Sequence, residues 1–288
     1  MFHKRLISSG AFYGSISLDL NAYFGTLSQF HRDLVYDADD NRQLLNKIPE
    51  LGVLFWIMKI CATTLGETAG DLLSMTLHIG YAISSVILIS LFFLTVFLQL
   101  ISNKHIPVLY WMVIVSTSTA GTTISDYMDR TLGLGYAKGS LILVSILVLL
   151  LTLWKWSEKS LSVTHIQTRK GELFYWTAIL FSNTLGTAFG DFLADNSGLG
   201  FAGGALLIGI ILLLIVLAFY FTGLSRIFLF WTAFVLTRPF GATFGDLLTK
   251  GHEKGGLGFG TKGSSLILFS ILMILIVYTT YKQKNKIS

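Results

Sequence analysis

The sequence predicts an all-α integral membrane protein whose eight transmembrane helices form four parallel two-helix hairpin repeats. Three observations lead there. Of the 288 residues, 53% are hydrophobic and only 13% are charged, about half the charged share of a soluble domain. A tryptophan–glycine–aspartate block recurs four times. Each block then leads through a glycine-containing turn into an apolar stretch of about 20 residues, the length of one helical span.

Residues 1–46 stand apart from this pattern. They are polar, carry the acidic cluster Asp37, Asp39 and Asp40, and lack an apolar run long enough for a signal peptide. They read as a polar N-terminal extension, and residues 47–288 as the membrane domain. Repeat one, about 51–102, opens at Phe55-Trp56, runs through TLGETAGDLL (64–73), turns at HIGY (78–81) and continues into AISSVILISLFFLTVFLQL (82–100). Repeat two, about 106–156, opens at Tyr110-Trp111 and turns at GLGY (133–136). Repeat three, about 171–222, opens at Tyr175-Trp176 and turns at GLGF (198–201). Repeat four, about 226–281, opens at Phe230-Trp231 and turns at GLGF (256–259).

The internal spacing is constant. Ten residues after the tryptophan comes Gly66, Gly121, Gly186 or Gly241; fourteen after, Gly70, Ser125, Gly190 or Gly245; fifteen after, Asp71, Asp126, Asp191 or Asp246. The tryptophans lie 55, 65 and 55 residues apart, with a polar connector (155–172) in the middle. That is the pattern of a doubled hairpin doubled again. Each unit holds an even number of spans, so all four repeats share one orientation.

Basic residues set that orientation. The N-terminal segment, the connectors between repeats and the C-terminal tail carry 14 Lys and Arg, and the turns inside the hairpins carry five: Arg130, Lys138, Lys250, Lys254 and Lys262. The positive-inside rule then puts both termini in the cytoplasm. The aromatic pairs are expected at the cytoplasmic interface, and Lys59 is expected to snorkel there. A net charge of +5 spread over the ends of apolar runs points to the lipid bilayer as partner and excludes nucleic acid. Cys61 is the single cysteine, so no intramolecular disulfide forms.

Carboxylates inside a span are expensive, and here four recur at one offset. The tryptophan-to-aspartate distance is 15 residues, about 22 Å of helix, which carries the aspartate to the outer leaflet. The glycine and small residue form a small-xxx-small pattern for close helix packing. Polar residues accompany the aspartate on its face: Thr64, Glu67 and Thr68; Thr119, Thr122 and Thr123; Thr184 and Thr187 with Asn183 nearby. The fourth copy instead reads Arg238, Pro239, Ala242 and Thr243. Convergence of Asp71, Asp126, Asp191, Asp246 and Glu67 requires bound cations or bound protons. Arg238 is the expected internal partner of Glu67.

The tryptophan, the G-x3-small-Asp block and the G-[IL]-G-[YF] turn together resemble a repeat of bacterial multi-spanning membrane proteins of unknown function, often labelled uncharacterised membrane-anchored proteins. The resemblance covers residues 47 to about 281, including KIPE (47–50). It implies an all-helical inner-membrane protein and brings no substrate. ETAGD is also similar to the Glu-x-Gly-Asp helices of a separate family of cation and manganese transporters, but its spacing differs and the following Lys-Thr is missing.

The reading that results is a secondary transporter or exporter of a small cation, with a divalent metal or a proton-coupled ion as candidates. Asp71, Asp126, Asp191 and Asp246 would form the coordinating ring. Glu67 and Arg238 would make it asymmetric, and Thr122 and Thr187 would be neutral oxygen ligands. Oxygen-only ligation suits Mg²⁺, Ca²⁺ or Mn²⁺. No catalytic residue and no cofactor beyond such a bound cation is expected, because no HExxH, CxxC, Walker or nucleophile-elbow motif is present. The alternatives are a non-catalytic membrane scaffold or sensor, and an intramembrane enzyme acting on a lipid-linked substrate. Oligomeric state is not encoded in these patterns.

Overall fold

The structure, a computed structural model, describes residues 49, 51–102, 105–163, 166 and 168–287, with side chains as far as Lys282. The expectation for residues 1–46 lies outside the described residues. Among the described residues eight α-helices follow one another: α1 (Val53–Asp71), α2 (Tyr81–Ile101), α3 (Pro107–Asp126), α4 (Tyr136–Glu158), α5 (Arg169–Asp191), α6 (Gly200–Phe221), α7 (Arg226–Thr249) and α8 (Gly260–Ile287). Their starts are locally encoded. Pro107 opens α3, where a missing N–H costs nothing, and Thr168 caps α5 by accepting from the Gly171 N–H at 2.9 Å.

The four inner helices α1, α3, α5 and α7 form a closed ring, each packed on the next and α7 back on α1. Glycine makes this ring tight. A Cβ at Gly66, Gly121, Gly186 or Gly241 would come closer than 3.0 Å to Ser118, Asn183, Arg238 or Thr63 respectively, always on the next helix around the ring. The small-xxx-small pattern is therefore helix packing, as its spacing predicts.

α2, α4, α6 and α8 surround the ring and expose apolar side chains such as Phe93, Phe97, Leu149, Leu213 and Ile274. These four helices and α7 are long and apolar enough to cross a membrane. By helix length and hydropathy the chain is a multi-pass membrane protein. α1, α3 and α5 are less apolar because their Thr, Ser, Asn and acidic residues are buried inside the bundle, away from the exposed outer face.

The expected hairpins need one correction. The two helices of a repeat are joined by a short turn but are not each other's main packing partners. α2 lies along α3, α4 along α5, α6 along α7 and α8 along α1. Each outer helix thus covers the inner helix of the following repeat. Polar seams tie this exchange: Thr95 and Ser116 hydroxyls 2.9 Å apart join α2 to α3, and Ser265 donates to Thr68 at 2.9 Å between α8 and α1.

A second correction concerns the aromatic pairs. They are not an interfacial belt; Tyr110, Trp111, Tyr175 and Trp176 are all buried. Phe55 meets Trp111 at 5.8 Å between ring centroids, Tyr110 meets Trp176 at 5.6 Å, Tyr175 meets Trp231 at 6.4 Å, and Phe230 meets Trp56 at 5.8 Å. Each pair leans on the next repeat's tryptophan, so the rings close one end of the bundle. Ring-on-ring contact is favourable at these distances, and the Tyr110 and Tyr175 hydroxyls, 2.8 Å apart, satisfy one another inside it.

Candidate functional site

From the aromatic end, the inner helices present one residue per repeat at each successive helical turn. The four-residue period of a helix face stacks these into layers. The first layer past the aromatic rings holds Lys59, Ile114, Ile179 and Phe234, all buried. Lys59 is fully enclosed, with its Nζ 3.9 Å from the Phe234 ring centroid. It does not snorkel, because the aromatic rings stand between it and that end of the bundle.

The next layer is Thr63, Ser118, Asn183 and Arg238, and the one above it Glu67, Thr122, Thr187 and Ala242. The two interlock around the fully buried guanidinium of Arg238. Its Nη2 lies 3.0 Å from Glu67 Oε2 and donates to the Thr187 hydroxyl at 2.7 Å and to the Thr122 hydroxyl. The Ser118 and Thr63 carbonyls accept from its two terminal nitrogens at 3.3 Å each. Thr122 and Thr187 also stand 3.3 and 3.4 Å from Glu67 Oε2. Repeat four supplies the cation, repeat one the anion, and repeats two and three a hydroxyl each.

The top layer holds the four aspartates, all buried. They do not form one ring of free carboxylates. Lys250 Nζ bridges Asp71 Oδ2 at 2.6 Å and Asp246 Oδ1 at 3.1 Å. Arg130 bridges Asp126 Oδ1 at 2.9 Å and Asp191 Oδ2 at 3.1 Å. Two carboxylate–cation–carboxylate triads therefore face this end of the bundle. Glu67 joins only the first: ligand atoms of Glu67, Asp71 and Asp246 all lie within 4.8 Å of one another. Of the sequence-predicted residues, Glu67, Arg238, Thr122 and Thr187 thus meet in one network and Glu67, Asp71 and Asp246 in another. Asp126 and Asp191 belong to a separate triad.

The local backbone builds these bridges. After Asp71, Asp126 and Asp191 the helix widens into a five-residue π-helical turn: Leu72–Thr76, Tyr127–Thr131 and Phe192–Asn196. Such turns recur at functional positions in helices. α7 stays α-helical to Thr249 and passes through Lys250 into a short 3₁₀ turn, His252–Lys254. The Arg130 guanidinium lies between the rings of Tyr81 and Tyr136, at 6.0 and 5.7 Å, which supplies cation–π support. Burial works against the charge on Lys250 and on Arg130, yet the carboxylates outweigh it. Asp246 and then Asp71 hold Lys250, and Asp126 and then Asp191 hold Arg130, protonated beyond their usual ranges.

Arg130 and Lys250 entered the sequence reading only as turn charges. A signal was present: each lies four residues after its repeat's aspartate, one helical turn on, whereas the matching residues in repeats one and three are Met75 and Asp195. What sequence spacing could not supply is the second carboxylate of each bridge, contributed by the next repeat.

A family profile described as Repeat of Unknown Function (DUF347) matches residues 54–105, 109–160, 174–225 and 229–285. No curated protein and no solved structure matches the chain.

Proposed function

The chain belongs to the DUF347 repeat family, and from that premise we propose that it is a secondary transporter or exporter of a small cation in a bacterial inner membrane. In this reading all eight helices span the bilayer, with both termini and the aromatic rings on the cytoplasmic side. It is a carrier and not an enzyme. The observation that carries the proposal is the first triad. Glu67, Asp71 and Asp246 bring three carboxylates within 4.8 Å, and two of them, Asp71 and Asp246, already hold a cationic group, the Lys250 ammonium.

The substrate cation takes the place of that ammonium. Three carboxylates with hydroxyls close by form an all-oxygen set, which suits Mg²⁺, Ca²⁺ or Mn²⁺. Thr122 and Thr187, beside Glu67, are the neutral oxygens within reach. Arg238 holds the Glu67 carboxylate in place at 3.0 Å. Arg130 stays where it is, because a guanidinium does not give up its proton and two carboxylates grip it. The aromatic rings close the cytoplasmic end while the aspartate end is loaded.

Thermal unfolding of the detergent-purified protein with Mg²⁺, Ca²⁺ and Mn²⁺, alongside Asp71→Asn, tests this reading. An ion present at 100 times its Kd should stabilise the wild type by about 2.7 kcal/mol, and Asp71→Asn should abolish the gain. A scaffold role is favoured by a different observation: Glu67 and all four aspartates have a protein cation within 3.1 Å. Asp71→Asn would then lower the melting temperature with no ion-specific shift in either protein.

A further inference from the structure

Lys59 is the one charged group of the axial column, among the described residues, that the transport reading leaves without a task. Its side chain is fully buried, and its Nζ finds no hydrogen-bond acceptor among the described residues. The neighbouring ring of Phe234, 3.9 Å away, attracts an ammonium but does not neutralise it. An unpaired buried ammonium is costly, so burial itself opposes a proton on the amine, and the charges stacked above it add to or offset that cost. Among the described residues, the ion pairs above it join five carboxyl side chains, Glu67, Asp71, Asp126, Asp191 and Asp246, to three basic ones, Arg238, Arg130 and Lys250.

α7 brings Phe234 and the buried Arg238 guanidinium, a charge of the same sign as an ammonium. α1 itself carries Glu67 and Asp71 further along the axis. α3 and α5 bring Tyr110 and Tyr175, whose hydroxyls are engaged with one another. α8, also packed on α1, brings the apolar Leu272 and Ile276 and the Leu268 carbonyl, to which the Cys61 thiol donates.

We infer that Lys59 is the proton-carrying group of this carrier, which exchanges a cation held by Glu67, Asp71 and Asp246 for a proton held on the Lys59 amine. The inference rests on the transport reading. The step is Lys59–NH₃⁺ → Lys59–NH₂ + H⁺, the proton leaving to water at the aromatic end when those rings part. One proton lost offsets one positive charge gained, so a monovalent ion leaves the column's charge unchanged and a divalent ion raises it by one. Glu67 lies eight residues beyond Lys59, about 12 Å along the helix. Unit charges at that separation, at an effective dielectric near 20, change one another's binding by about tenfold. Occupancy of one site therefore disfavours the other, which is the requirement for exchange.

The test is proton release, read with a pH-indicator dye in weakly buffered detergent solution as Mg²⁺, Ca²⁺ or Mn²⁺ is added to the purified full chain. Wild type should release protons as the ion binds. Lys59→Met should release about one fewer per ion bound, with affinity for the ion unchanged or up to about a hundredfold tighter, because a divalent charge doubles the coupling of unit charges. Equal proton release in the two proteins overturns the inference and leaves the cation site standing. No ion binding by wild type overturns the transport reading and this inference with it. Should Lys59→Met fail to fold, wild type labelled with ¹³C at lysine Cε answers the same question. One lysine resonance should pass from ammonium to amine on saturation with Ca²⁺, and no change in any lysine overturns the inference.

Discussion

Replacing Arg238 by methionine should destabilise the protein by about 3–5 kcal/mol, the usual cost of removing one partner of a buried ion pair. Methionine keeps the Cβ and Cγ that fill the space against Gly186, so the loss is one of charge and hydrogen bonds more than of packing. The buried Glu67 carboxylate would keep only the Thr122 and Thr187 hydroxyls, at 3.3 and 3.4 Å. The Thr63 and Ser118 carbonyls would lose their guanidinium donor. For a chain of this size each kcal/mol corresponds to roughly 2–4 °C, so the melting temperature should fall by roughly 6–20 °C. Adding Glu67→Leu to Arg238→Met removes the stranded carboxylate, and apolar replacement of a whole buried pair is often neutral or better. The double variant should therefore melt close to wild type while losing the ion effect. Tryptophan fluorescence in detergent reports the transition. A single-variant loss below about 1 kcal/mol, or a double variant worse than either single one, would refute a stabilising role for the pair.

Lys250→Met should melt lower than wild type in the absence of ions and gain more from Ca²⁺ or Mg²⁺, since the acid pair loses its own ammonium. Because Asp246 and Asp71 raise the Lys250 pKa, its contribution is complete below the unfolded lysine value and is lost only as pH climbs through the higher folded one. The gap between wild type and Lys250→Met should thus stay flat from about pH 6 to pH 9; a gap that closes within that window would contradict the bridge. At the closed end, Tyr110→Phe or Tyr175→Phe alone strands a buried hydroxyl and should lower stability by about 1–3 kcal/mol. The double Phe variant should recover most of that in the same melting assay.

Much of this was legible because the repeat is strict. Four tryptophans, glycines and aspartates at fixed offsets give helices, close packing and a common orientation without reference to coordinates. The Glu67–Arg238 pair was legible for a simple reason: a lone carboxylate and a lone guanidinium inside spans have few other partners. The order of packing was not. Nothing in the spacing within a repeat says that α2 covers α3 in preference to α1, since that choice depends on seams such as Thr95–Ser116 between repeats. The aromatic pairs misled for the same reason. A Phe-Trp or Tyr-Trp step at a span end suits an interface and a ring of inter-repeat contacts equally well, and only the closure of the four-helix ring selects burial. Lys59 follows from that closure, because a lysine near a span end snorkels only when its path outward is open.

Common descent accounts for four aspartates at one offset, but not for how their counter-charges are arranged. The residue one turn beyond the aspartate is basic in repeats two and four and not in repeats one and three. Each of those basic side chains reaches forward to the next repeat's aspartate, Arg130 to Asp191 and Lys250 to Asp71. This is a two-fold pattern laid over a four-fold ring, and a ring built only for stability could keep it throughout. It is broken one and two turns down. The two-fold counterpart of Glu67 is Thr187, and that of Arg238 is Ser118. The break places a third carboxylate within 4.8 Å of Asp71 and Asp246, and among the described residues no such group of three forms around Asp126 and Asp191. The proposed cation site would account for that asymmetry. The triad held by lysine, whose flexible stem and compact ammonium can withdraw, is also the one with the extra carboxylate.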